Sequence, residues 1–353
     1  MQVLDAPALI VRNPLVASYQ TVTRAGPRLV AGGEHGLIIL SDDNGVTWRQ
    51  AKVPVSAAIL TIRFATPQSG WAIGAFGVVL HTADGGVNWV TQLDGIKTAA
   101  IMVAQAQAAS STGTAATAPA ATTPTVQDPA TPAAVPQRLR RALSFKNDGP
   151  DKPFLVLQVT DAEHARVLGA YDMAFETADG GGTWTEWDGR IDDPRDLHPY
   201  GIAGNGASTI VVGEQGLLVK GDPAVGMKAI TSPYDGSFFG AIDGGKQGLF
   251  MFGLLGHLYH SADGGSSWSS VDNPSKATLT CGLVLGDGQI VFGDMQGSLW
   301  RLSSNTLTRS AAAQSWPITD MAEAVDGSII ISGLGGLARI GRNTFDKNAD
   351  AAG

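Results

Sequence analysis

Aspartate recurs in this chain in a setting that invites a chemical reading. Four segments share the pattern SxDxGxTW: Ser41 to Trp48 (SDDNGVTW), Thr82 to Trp89 (TADGGVNW), Thr177 to Trp184 (TADGGGTW) and Ser261 to Trp268 (SADGGSSW). A hydroxyl two residues before a carboxylate could serve acid–base chemistry or hold a cation. The same residue types also build a tight turn: Ser, Thr and Asp oxygens accept backbone N–H bonds, glycine supplies positive φ, and Trp covers the gap between sheets. The turn accounts for every shared position, so a structural role is assigned to Ser41, Asp43, Gly45 and Trp48, to Thr82, Asp84, Gly86 and Trp89, to Thr177, Asp179, Gly181 and Trp184, and to Ser261, Asp263, Gly265 and Trp268. The run Asp42, Asp43, Asn44 lacks the spacing and the bidentate Glu of a calcium loop.

Other chemistry-bearing residues converge poorly. His257 and His260 form HxxH, but on a strand residues three apart face opposite ways, and His35, His81, His164 and His198 are scattered. GLGGLA from Gly333 has the GxGxxA form of a dinucleotide fingerprint, yet too few residues follow it for a helix and a second parallel strand. Neither a GxSxG elbow nor a P-loop occurs. The single cysteine, Cys281, excludes an internal disulfide framework and a cysteine-cluster metal site. No catalytic, cofactor or metal residue is therefore assigned. The clustered positive charges Arg138, Arg140 and Arg141 are a candidate docking element for an acidic partner, or else the solvated face of a helix packed on the domain.

The positioning elements follow from the repeat. Trp48 and Trp89 stand 41 positions apart, and Trp184 and Trp268 stand 84 apart, two such periods. A GxxG turn and an apolar run precede each motif, and the last slot of that turn falls at Gly36, Gly77, Asp172, Gly216, Gly256, Gly297 and Gly336. Seven units emerge, each reading as short β-rich runs between Gly, Asp and Asn turns. Units of about 40 residues with four strands are propeller blades. The expected fold is all-β: a seven-bladed β-propeller of four-stranded antiparallel blades across 1–345, with Ala8 to Arg12 completing the last blade beside Leu337 to Ile340. In such a blade the GxxG turns share a face with the interblade links. Glu34, His35, Phe76, Tyr171, Glu214, Gln215 and Leu255 are accordingly candidates for one partner-binding surface.

Between units two and three, 97–152 forms an insertion. From Ala99 to Pro136 it is almost wholly Ala, Thr, Ser, Pro and Gln, a composition that builds no packed core, followed by a short basic amphipathic helix. A disordered tail is expected over 346–353. The chain has 353 residues, 45 of them glycine, and a net charge of −8, which disfavours nucleic acid as a partner. No basic leader precedes an apolar stretch at the N-terminus and no run is long enough to span a membrane, so the expectation is a soluble, monomeric propeller.

In its repeated setting, SxDxGxTW resembles the Asp box, or bacterial neuraminidase repeat. Sialidases of this kind imply three arginines on a carboxylate, a Tyr/Glu pair, an acid/base Asp and an Arg-Ile-Pro motif; the nearest segment here is VRNP at Val11 to Pro14. A sialidase-like glycoside hydrolase is thus the alternative, recognisable by three arginines and a Tyr/Glu pair meeting in the channel. Over nearly the whole chain the sequence resembles the photosystem II stability and assembly factor family and its non-photosynthetic bacterial relatives. The resemblance is carried by LTIRFATPQSGWAIGAFGVVLHTADGGVNW at Leu60 to Trp89, DGPDKPF before the third unit, GEQGLLV at Gly213, and PYDGSFFG at Pro233 to Gly240. It implies a seven-bladed propeller without catalysis or cofactor that binds membrane-protein subunits. Its non-photosynthetic branch implies a partner such as an envelope transporter, and a periplasmic or envelope-associated location, with the cytoplasm as the alternative.

Overall fold

The computed structural model describes residues 2–111, 136–187, 191–192 and 195–347. Seven antiparallel sheets follow one another around a ring, a seven-bladed β-propeller. The inner strands are Tyr19–Ala25, Ile59–Phe64, Phe154–Val159, Pro199–Ala203, Phe238–Asp243, Leu279–Val284 and Ile318–Glu323. Each packs beside the inner strands of both neighbouring blades, so these seven line the central channel. The second strands carry near-continuous apolar runs such as GWAIG (Gly70–Gly74), LFMFG (Leu249–Gly253) and IIISG (Ile329–Gly333), and every residue in these three is buried. A strand covered on both faces by neighbouring sheets has no polar side to show, which explains the loss of alternation.

The GxxG turn has a steric cause. A Cβ on Gly33, Gly74, Gly213, Gly253 or Gly333 would collide with the carbonyl oxygen of Ser18, Ala58, His198, Ser237 or Pro317, the residue entering the inner strand. Beside that close approach, the turn N–H bonds the same carbonyl, as in Ala75 N to Ala58 O (3.0 Å) and Leu254 N to Ser237 O (3.0 Å). Two backbones pinned together here displace the pairing by one residue, and all seven blades carry a β-bulge between their inner and second strands at this level.

Among the described residues five blades have four strands, blade 4 gains a parallel fifth at Ile191–Asp192, and blade 7 has three. The expected closure by Ala8 to Arg12 is therefore corrected. That segment is not a strand and pairs with nothing in blade 7. Instead it is held against blade 1, where Ala8 N donates to Val53 O (3.0 Å), Leu9 N to His35 O (3.3 Å) and the Gln50 side chain bonds both Leu9 O and Val11 N. The ring closes by packing between blades 7 and 1. Thr319 donates to Tyr19 O (2.9 Å), and Thr21 and Val22 N both donate to Asp320 (2.9 and 3.2 Å).

The insertion also differs from its expectation. Helix α1 (Gln2–Asp5) opens the chain, and α2 spans Gly95–Ser111, well into the Ala-rich stretch. Asp94 caps it, accepting from the N–H groups of Ile96 and Lys97 (2.9 and 2.8 Å). Alanine has the highest helix propensity, so a low-complexity run can still be helical where a surface receives it. Ala99, Met102 and Ala106 are buried together with Ala142 and Phe145 of α3 (Gln137–Asp148) against Trp71, Phe154 and Met173 of blades 2 and 3. Residues 112–135 lie outside the described residues, as do 348–353 of the expected tail. Before that tail, α4 (Arg342–Phe345) buries Phe345 against blade 6.

Candidate partner-binding site

The SxDxGxTW turns use their own chemistry. In blade 1, Ser41 donates to Asp43 Oδ1 (2.8 Å) and accepts from Gly45 N (2.8 Å), while Asp43 accepts from Thr47 N and Thr47 Oγ1 (2.9 and 2.6 Å). The same set recurs around Asp84, Asp179 and Asp263. The Thr47 hydroxyl, its backbone N–H and the Ser41 hydroxyl hold the Asp43 carboxyl down at about 2. Thr183 and Thr177 do the same for Asp179, also about 2. These carboxylates spend their lone pairs within the turn.

On the opposite face, the GxxG turns put His35, Phe76, Tyr171, Gln215 and Leu255 in one equivalent slot, each left-handed with φ between 47° and 59°. Tyr171 and Leu255 are more than half exposed, whereas Phe76 packs on the core between blades 1 and 2. Glu34 and His35 stand beside the N-terminal segment. Tyr171, Glu214 and Gln215 come together at the seam of blades 3 and 4: the Tyr171 ring meets His198 edge-on at 5.2 Å, His198 Nδ1 lies 3.4 Å from Glu214, and Gln215 Nε2 donates to Glu214 (3.3 Å). Leu255 stays apart on blade 5.

Helix α3 joins this seam through its arginines. Arg138 pairs with Glu186 (2.7 Å), and Arg141 pairs with Asp172 (2.6 Å) while donating to Tyr171 O (2.8 Å). Both side chains are thereby turned toward blade 3 and anchor the helix. A groove of about 640 Å³ remains beside them, lined by Arg141, Phe145, Asp148, Lys152, Tyr171 and Asp196 among others.

A second surface was not singled out by the sequence. The bulge in each inner strand skips one residue, and those seven residues are Gln20, Leu60, Leu155, Tyr200, Phe239, Thr280 and Thr319. All seven line a cavity of about 460 Å³ at the GxxG-side mouth of the channel, joined by Met295, Pro317 and Leu334. Bulges re-aim side chains. Here they turn an apolar arc (Leu60, Leu155, Tyr200, Phe239) toward a polar one (Thr280, Thr319, Gln20). Tyr200 and Phe239 stack at 5.7 Å. Among the described residues no Lys, Arg, His, Asp or Glu side chain lines this mouth. Burial, assisted by the Glu214 charge, pushes the Tyr200 phenol up.

Deeper in the channel, Arg63 lies 3.7 Å from Asp320 and donates to Ile62 O (2.8 Å). Arg24 and Glu323 lie toward the far end, where Glu323 accepts from Gly286 N (2.6 Å). Among the described residues lining the channel cavities there are two arginines, and Tyr200 and Glu323 line different cavities. His257 stacks on Tyr234 (4.0 Å) and His260 on Phe250 (4.7 Å), on opposite sides of their strand. Among the described residues no three His, Cys, Asp or Glu side chains gather as a metal site, and no helix is long and apolar enough to cross a membrane.

Comparison with known proteins now bears on this geometry. The family model of the photosynthesis system II assembly factor YCF48 matches residues 30–114. Photosystem II assembly protein Ycf48 of Synechococcus sp. (strain JA-2-3B'a(2-13)) is 33% identical over 152 residues, which is 42% of this chain and 42% of that relative. The chain resembles the photosystem II assembly-factor family. A solved structure of YCF48 bound to a D1 peptide superposes with a TM-score of 0.62 at 14% identity, covering 95% of this chain and 99% of the other. A streptogramin B lyase does so with 0.65 at 12% identity, covering 93% and 94%. At such identities the likeness is one of fold, and the propeller ring serves binding proteins and an enzyme alike.

Proposed function

We propose that the chain is a non-enzymatic scaffold that holds an uncharged, apolar segment of a membrane-protein subunit at the GxxG-side channel mouth, assisting assembly or action of an integral membrane complex such as an envelope transporter. The observation that carries this reading is the ring of bulged residues. A mouth lined by Leu60, Leu155, Tyr200 and Phe239 without a counter-charge favours apolar side chains, because a charged one would lose hydration unrepaid. Aromatic anchors in a partly enclosed pocket are the residue types that dominate binding energy at interfaces. The resemblance to Ycf48, and the D1 peptide on one solved YCF48, support a protein segment as the occupant.

The test is a peptide array of the loop and terminal segments of membrane proteins encoded beside this chain, probed with the wild type and with Tyr200→Ser/Phe239→Ser. Uncharged apolar peptides should bind the wild type and lose at least about tenfold in affinity with the double variant, the loss expected on truncating two aromatic anchors. Equal binding by both proteins would dismiss the mouth as the site. Retained binding to Arg138→Ala/Arg141→Ala separates the mouth from the seam groove.

A further inference from the structure

The large apolar side chains left exposed divide unevenly between the two faces of the ring. On the SxDxGxTW side they are valines, Val46, Val90, Val225 and Val325. The GxxG side carries longer ones on consecutive blades: Leu255 on blade 5, Met295 on blade 6 and Leu334 on blade 7 are each just over half exposed, and Leu15 and Val16 follow in the segment that enters blade 1. Folding does not demand them. In the left-handed slot that Leu255 fills, blades 1 and 4 carry His35 and Gln215, and Leu334 stands where the same blades carry Glu34 and Glu214. These turns accept polar residues, so packing does not explain an exposed leucine there.

The arc between these tips carries little charge. Residues 13–18, 313–317 and 333–336 contain no ionisable side chain, and in 293–297 the one present, Asp294, is buried. Trp316 lies across Gly333 and Gly335, where a Cβ on either would meet its ring, and stays partly exposed. Basic groups stand at both ends. Lys276 is exposed on the link into blade 6, beside the Leu255 turn, where a Cβ on Gly256 would strike Ser275 O. Arg12 is exposed three residues before Leu15. Neither has an acidic partner among the described residues. Leucine, methionine and tryptophan at the tips with Lys and Arg flanking them are the composition of a surface that sits in the headgroup layer of a bilayer.

We propose that the GxxG-side rim, from blade 5 through blade 7 to Leu15 and Val16, is a membrane-contact surface. Leu255, Met295, Leu334 and Val16 enter the interfacial layer of a bilayer, and Lys276 and Arg12 meet anionic headgroups. Tips carried on successive blades suit a fluid surface, which adapts to their spacing, whereas a protein partner would have to present a matching pocket to each. The chain's net charge of −8 gives no long-range attraction to such a surface, so contact depends on the tips and their two flanking cations. The inference does not rest on what the channel mouth holds. Its consequence is orientation: Met295 and Leu334 also line that mouth, which a docked ring turns toward the bilayer.

The test uses the full chain and protein-free vesicles of phosphatidylcholine, with and without phosphatidylglycerol. An environment-sensitive fluorophore on Leu334→Cys should shift to the blue when mixed vesicles are added, and one on Val225→Cys, on the opposite face, should not; the native Cys281 is buried. In co-sedimentation, Val16→Ser/Leu255→Ser should weaken binding at least about tenfold. Arg12→Ala/Lys276→Ala should weaken it about fivefold for each charge removed. Tyr200→Ser/Phe239→Ser, which alters the mouth, should bind vesicles as the wild type does, so that the two readings fail separately. Absence of binding to either vesicle leaves the rim to a protein partner and overturns the proposal, and so does an equal shift at both labelled positions. A blue shift of the Leu334→Cys label that rises with protein concentration in the absence of lipid means that a second copy covers the rim, and likewise overturns it.

Discussion

Asp294 occupies the slot that glycine fills in the other blades, and its replacement by asparagine should be far costlier than the same change in an SxDxGxTW turn. The Asp294 side chain is fully buried and accepts three bonds, from Gln296 N (2.9 Å) and Ser298 N (2.8 Å) at Oδ1 and from Trp300 Nε1 (2.8 Å) at Oδ2. All three donors have fixed polarity. In Asp294→Asn the amide nitrogen must face either the indole N–H or the two backbone N–H groups. The cheaper orientation leaves the indole donor and the amide donor without a protein acceptor in a fully buried site. At about 1–3 kcal/mol for each of the two unmet buried donors, the change should cost about 2–6 kcal/mol. For a large domain at ~2 °C per kcal/mol, the thermal midpoint should fall by about 4–12 °C. The control is Asp43→Asn. There Oδ2 accepts from the Thr47 hydroxyl, which can turn and accept from an amide instead, while Oδ1 keeps Thr47 N and Ser41. Calorimetric scanning of both variants separates the cases. Equal midpoints, or a neutral Asp294→Asn, would refute the argument that fixed donors at Asp294 hold the blade 6 turn.

Two further outcomes follow from the same structure. Because the folded-state carboxyls of Asp43 and Asp179 titrate at about 2, below the ordinary value near 4, their stabilisation is fully present above that ordinary value and is lost as pH falls toward 2. Denaturation midpoints of Asp43→Asn/Asp179→Asn should therefore depend less on pH between about 4 and 2 than those of the wild type, and parallel profiles would count against it. Arg141→Ala and Asp172→Asn should show a coupling of about 0.5–1 kcal/mol in a double-mutant cycle, small because both side chains are about a third or more exposed. Each single change should also speed amide exchange in α3. Unaltered exchange would mean that the Phe145 packing alone holds the helix.

The ring was legible because its cause is local and repeated. GxxG followed by SxDxGxTW encodes two turns of fixed geometry, and every copy that kept them could be counted. Degenerate copies at Gly213, Gly293 and Gly333 stayed readable because the steric demand at the first glycine persists, relaxed only where Asp294 supplies its own bonds. What misled was the assumption that composition decides packing. Ala99–Ser111 is poor in large apolar groups, yet Ala99, Met102 and Ala106 fit the shallow surface that blades 2 and 3 and Phe145 present. Ala8–Arg12 has the residue types of a strand, but Gln50 and the His35 carbonyl compete for its backbone, and no sequence pattern announces that competition. Arg138 and Arg141 look like free charges until Glu186 and Asp172 are brought to them by folding.

The channel mouth escaped notice for a reason that also explains its use. The residue before the bulge is fully buried in six blades, as Tyr19, Ile59, Phe154, Phe238, Leu279 or Ile318, and buried as Pro199 in blade 4, so the fold dictates an apolar type there. The bulged residue next to it is spared that demand, because the bulge lifts it out of the pairing and into the opening. Its identity is consequently free to vary from blade to blade, and it does: Gln20, Leu60, Leu155, Tyr200, Phe239, Thr280 and Thr319 range from amide and hydroxyl to aliphatic and aromatic. A scaffold of seven near-identical sheets thus presents one unconstrained side chain per blade to a single cavity. Specificity can be changed there without touching the turns and glycines that build the ring, which is why a motif search, tuned to what repeats, passes over the positions where binding would be decided.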